Sequence, residues 1–173
     1  DIVRALDDVQ PYDWAGFLRT RLESHGPGAP LDGIVRGGYT LVYRDTPSDY
    51  VRNLNTIRNV TTLAYSLGIT VTADGRFSDV LWDSPAFEAG LVPGQQITAI
   101  RGDAFTATRI RDAITDAHAG GKPIELLVKS GDAFRTVTID YRGGLRYPYL
   151  ERDRSKPARA RSRRSHASPP FHL

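Results

Sequence analysis

The side chains in this sequence best suited to metal chemistry are its histidines, His25, His118, His166 and His172. A helical zinc-hydrolase site needs two of them one turn apart, as H-E-x-x-H, plus a further acid. Three protein ligands then leave the fourth position to a water. No histidine here has another at i+4. His118 falls at the end of an expected helix, where a cation favours the dipole, and His166 and His172 fall in a basic tail. Cysteine is absent, so disulfides and thiolate metal sites are excluded, and either redox compartment stays open. This chain alone is therefore expected to be no enzyme, with no catalytic residue, no metal ligand and no cofactor of its own.

Charge excludes a second class. The net charge of +3 is spread unevenly over the 173 residues. Residues 151–173 hold seven Lys/Arg and two acids, and the other 150 residues hold sixteen Lys/Arg and eighteen acids. The body is thus slightly acidic and the basicity belongs to the tail. A phosphate-binding protein needs an organised basic surface, so no nucleic-acid partner is expected. No run of eighteen apolar residues occurs, so no membrane span is encoded. The sequence also lacks a signal-peptide pattern and any methionine, as expected of a chain that begins inside a longer protein or has been processed.

The elements that would position a binding site follow from spacing and turn chemistry. Asp13 is a plausible N-cap for a helix carrying Trp14, Phe17, Leu18 and Leu22 on one face, ended by Gly26-Pro27-Gly28. Alternation predicts a strand over 39–43, and Thr46-Pro47-Ser48-Asp49 starts a short helix. From there strands and turns alternate. A strand over 67–72 leads through Ala73-Asp74-Gly75, a hairpin signal, to a return strand over 77–82. Residues 85–90 form a short helix, 96–100 a strand, and 106–118 a helix with the stripe Ile110, Ala113, Ile114 and Ala117. Two more strands, 124–129 and 134–141, join through Ser130-Gly131-Asp132. The expected class is α+β: a small, partly open β-barrel with two helices, preceded by a short helical segment. The expected divisions are 1–60, 61–142, a 143–152 extension, and a basic tail over 153–173 too poor in apolar residues to order.

Ser84-Pro85-Ala86-Phe87-Glu88-Ala89-Gly90-Leu91-Val92-Pro93-Gly94 resembles the bacterial PDZ pattern, in which a short helix ends at Ala-Gly-Leu and a second glycine turns the chain into a strand. Gln95 and Arg101-Gly102 depart from that pattern, both within turns. Tyr65-Ser66-Leu67-Gly68-Ile69 resembles the carboxylate-binding loop of PDZ domains. That resemblance implies a fold and a site. Backbone N–H groups of Leu67, Gly68 and Ile69 would converge on a peptide carboxylate, with Gly68 allowing close approach. The strand carrying Ile69, Thr70 and Val71 would accept the peptide as an added strand. Ala107, Arg111 and Ile114 would edge the opposite wall. The implied partners are peptides or protein C-termini.

The flanks narrow the family. Val9-Gln10-Pro11-Tyr12-Asp13-Trp14-Ala15-Gly16-Phe17, Pro30-Leu31-Asp32-Gly33, Gly37-Gly38-Tyr39 and Leu41-Val42-Tyr43 are similar to the region after the catalytic domain of glycyl aminopeptidase-type zinc metallopeptidases. Arg135-Thr136-Val137-Thr138-Ile139-Asp140-Tyr141 and Gly143-Gly144-Leu145-Arg146-Tyr147-Pro148 continue the resemblance. It implies a parent protein with zinc in an upstream, thermolysin-like catalytic domain. It also implies preference for N-terminal glycine; the address stays unknown, periplasmic or cytoplasmic in a bacterium. The Arg-rich tail departs from the family. A stand-alone PDZ adaptor that recruits protein C-termini is the alternative, and an upstream H-E-x-x-H separates the two.

Overall fold

The computed structural model describes residues 2–23 and 29–155. The expected Gly26-Pro27-Gly28 helix stop and most of the basic tail lie outside these residues. The chain divides into two compact units, Asp1–Gly33 and Ile34–Leu173.

In the first unit, α1 (Ile2–Val9) precedes α2 (Trp14–Glu23). Asp13 caps α2 as its sequence position predicts: its Oδ1 accepts from the Gly16 N–H at 2.9 Å. Neither helix has a fully buried residue. Its apolar contacts centre on a cluster of edge-to-face rings, Tyr12 on Trp14 at 5.1 Å and Trp14 on Phe17 at 5.8 Å.

α3 (Asp32–Arg36) falls across the division, and in the second unit β1 (Tyr39–Arg44) leads into α4 (Asp49–Arg58). The remaining elements are β2 (Val60–Leu63), β3 (Ile69–Thr72), β4 (Phe77–Val80), α5 (Pro85–Glu88), β5 (Gln96–Ile100) and β6 (Asp103–Ala104). They continue with α6 (Ala107–His118), β7 (Ile124–Ser130), β8 (Ala133–Ile139) and β9 (Tyr147–Arg152). β1 and β9 form a separate antiparallel pair, while β2-β3-β4 and β6-β5-β7-β8 form two open sheets. The class is mixed helix and sheet as expected, but among the described residues no barrel closes. The sheets meet where the Ile97 N–H donates to the Gly75 carbonyl and the Phe77 N–H donates to the Gln95 carbonyl, each at 2.8 Å. Gly75 is required there: its φ is +85°, and a Cβ would lie 2.4 Å from the Ile97 carbonyl oxygen.

One apolar core fills the space between the sheets and α6. It contains Leu63, Leu67, Ile69, Val71, Phe77, Ile97, Leu126 and Val128, with the α6 stripe Ile110, Ala113, Ile114 and Ala117. Each large member contributes roughly 1.5–3 kcal/mol by leaving water. α6 is held at both ends. Thr106 accepts the Arg109 N–H at its N-cap, and Arg142 donates to the carbonyls of Ala117 in its last turn and Gly121 beyond it. His118 is part of this end: its Nδ1 lies 2.6 Å from the Arg142 carbonyl, to which it donates. The expected return strand over 77–82 is shorter, because Asp83 adopts φ +54° and Leu81 and Trp82 turn outward, Trp82 onto Phe87 at 4.4 Å.

Candidate functional site

The segment 64–68 is a tight loop between β2 and β3, tied down on three sides. The Ser66 and Gly68 N–H groups both donate to the Leu63 carbonyl at 3.1 Å. The Leu67 carbonyl accepts from Ala86 of α5 at 3.0 Å, and the Gly68 carbonyl accepts from Leu81 at 2.8 Å. The buried Ser66 hydroxyl accepts from the Arg146 N–H at 3.0 Å. Gly68 adopts φ +79°, and a Cβ there would lie 2.1 Å from the Cβ of Ser84. Ser84 in turn caps α5 by accepting the Phe87 N–H. The glycine therefore serves close packing of the loop on the α5 cap, whereas the sequence suggested close approach of a ligand.

β3 was expected to offer a free edge. It is instead the central strand of its sheet, with β4 on one side and β2 on the other. β2 runs antiparallel to it in the register Thr61↔Val71, Thr62↔Thr70 and Leu63↔Ile69. Leu63 is 1% exposed and Thr61 9%, so the strand alternation presses both onto the core. The predicted wall residues divide. Ala107 and Arg111 are half-buried and line an open cleft of about 430 Å³ together with Asn55, Asn59, Val60, Thr61 and Ala73. Ile114 is fully buried among core side chains and edges no groove.

The structure thus brings Leu67, Gly68, Ile69, Thr70 and Val71 against β2, and Ala107 and Arg111 against its start. Sequence reasoning missed β2 itself. The signal available was a β-branched run, Val60-Thr61-Thr62, directly after Asn59. Asn59 ends α4 in the left-handed conformation at φ 52°, which asparagine tolerates better than most residues.

A buried phenol stands beside this site. Tyr147 is 4% exposed, and burial pushes its pKa above the ordinary 10.0, partly opposed by the nearby Arg111 guanidinium. Burial also raises Tyr141, against the opposing Arg146 charge. The sign follows from proton counting. Above pH 10 the unfolded phenols ionise first, so the folded state holds more protons and stability falls as pH rises. Tyr147→Phe is expected to lose less stability than the parent between about pH 8 and about pH 10.5. Urea midpoints at both values check this, and equal losses would contradict it.

Among the described residues no group of three or more His, Cys, Asp or Glu could hold a metal ion. No helix among them is long and apolar enough to cross a membrane.

No protein-family model matches the chain, and no curated protein matches it. Solved structures that resemble it include a PDZ domain and a larger peptidase. The HtrA3 PDZ domain, crystallised with a phage-derived ligand, aligns with TM-score 0.31 and 14% identity over 65% of this chain and 93% of its own. An aminopeptidase N family protein from Idiomarina loihiensis aligns with TM-score 0.53 and 15% identity over 88% of this chain. The chain spans 26% of that protein's length, and the likeness is one of fold.

Proposed function

We propose that this chain is a non-catalytic, PDZ-like peptide-binding module of a zinc aminopeptidase. The observation that carries the reading is the Leu63 carbonyl. It sits at the end of a strand laid along β3, and two backbone N–H groups of the 64–68 loop converge on it at 3.1 Å. A peptide terminating at that point would present its carboxylate to the same donors. The fold shared over 88% of the chain with an aminopeptidase N family protein supports a peptidase as the parent. The described residues do not fit zinc, so no step of hydrolysis is assigned to them. In this reading the metal belongs to an upstream catalytic domain, and preference for N-terminal glycine is a property of that domain.

The coding sequence upstream of Asp1 tests the parent. An H-E-x-x-H motif with a downstream glutamate in the same reading frame is expected. A complete reading frame without it would turn the proposal toward a stand-alone adaptor. The purified chain is expected to hydrolyse no glycyl-p-nitroanilide. Turnover abolished by a chelator and retained through repeated purification would overturn the non-catalytic reading.

A further inference from the structure

We propose that β2 is an internal ligand: Val60–Leu63 occupies, in cis, the place a peptide C-terminus would take, and an external peptide binds only when this strand is released. The inference rests on the peptide-binding reading above and names both its ligand class and its control.

Three observations converge. First, β2 pairs antiparallel along one edge of β3 while β4 covers the other, so no second strand can add to β3 while β2 is seated. Second, β2 ends where a ligand would. Its last carbonyl, on Leu63, takes two loop N–H groups, and its last side chain enters the core that also holds Leu67, Ile69 and Ile114. Third, the strand hangs on a lightly held arm. α4 has no fully buried residue, Tyr50 is 73% and Ile57 83% exposed, and the Thr62 hydroxyl reaches back to Asn55 Oδ1 at 2.9 Å. Elements with few buried contacts open at low local free energy.

The occupant also describes its competitor. Successive strand residues alternate faces, so the buried positions are the last residue and the one two before it, here Leu63 and Thr61. The matching ligand is an extended peptide with a free carboxylate, a terminal leucine-like residue and a threonine-sized residue two positions earlier. The chain turns away at Asn59 into α4, yet the cleft bordered by Ala107 and Arg111 continues past Val60. A longer peptide has room there that β2 leaves empty.

The test uses a fluorescein-labelled peptide ending in Asn-Val-Thr-Thr-Leu, as free acid and as amide, titrated against the full chain and against Leu63→Ala. The truncated side chain weakens the seat of β2 and leaves room for the peptide's leucine. Binding to Leu63→Ala at least tenfold tighter than to the parent chain, lost on amidation, is the expected result. Equal affinity for the two chains would sink the internal ligand but keep the peptide site. No binding by either chain, with both folded by circular dichroism, would sink the site as well. If Leu63→Ala does not fold, hydrogen exchange of the parent chain decides. Amides of β2 are expected to exchange at least tenfold faster than those of β7, and equal protection would overturn the release.

Discussion

Gly68→Ala is expected to lower the melting temperature of the chain by roughly 4–20 °C, with or without peptide. Two costs add. The residue sits at φ +79°, where a Cβ costs about 1–2 kcal/mol. The new methyl would also lie 2.1 Å from the Ser84 Cβ, and Ser84 is 8% exposed, so it has little room to withdraw. Overpacking of that kind costs about 1–3 kcal/mol. In a unit of this size each kcal/mol moves the midpoint by about 2–4 °C, and by more in smaller domains. Gly94→Ala is the control. Its φ is +90° with nothing within 4 Å of the built Cβ, so it bears the backbone cost without the clash. Calorimetry of both variants checks the argument, and a loss at Gly68 no larger than at Gly94 would refute the packing role. Gly68→Val would meet the same clash, so its first effect would also fall on the fold.

The sequence carried local structure well and long-range pairing poorly, for a physical reason. The 73–75 turn, α5 ending at Gly90, the stripe of α6 and the β7–β8 hairpin are set by neighbours a few residues apart, and each is found where turn chemistry or periodicity puts it. Ile69 and Val71, read from the sequence as part of the peptide-binding strand, are buried, because alternation sends one face of a strand to the core. Alternation says nothing about which edge is covered. β2 is four residues long and takes its identity from β3, while β9 pairs with β1 in the register Tyr39↔Arg152, over a hundred residues apart. The candidate site depended on an edge. Its loop adjoins β3, and the free strand that the sequence suggested is covered by residues just upstream. α4 shows the opposite limit: its helix was legible from Tyr50, Val51, Leu54 and Ile57, although Ile57 remains 83% exposed.

Ile114→Ala should reduce stability by about 2–5 kcal/mol, the usual range for truncating a buried isoleucine to alanine. Read as a groove wall, this residue would chiefly select peptide side chains and its truncation would leave the fold nearly intact. The geometry of α6 decides otherwise. At 3.6 residues per turn, positions 113, 114 and 117 lie within about 60° of Ile110 around the helix axis, so Ile114 cannot leave the core face that its three companions define. It is 0% exposed, as are Ile110 and Ala117, and it shares the cluster with Leu63 of β2. Arg111 lies about 100° from Ile110, half-buried at the cleft. Arg111→Ala is therefore expected to change stability by no more than about 0.5 kcal/mol near neutral pH. Urea unfolding of both variants without any peptide separates the two roles. A loss below about 1 kcal/mol at Ile114 would return it to the groove, because a filled core position cannot give up three carbons that cheaply.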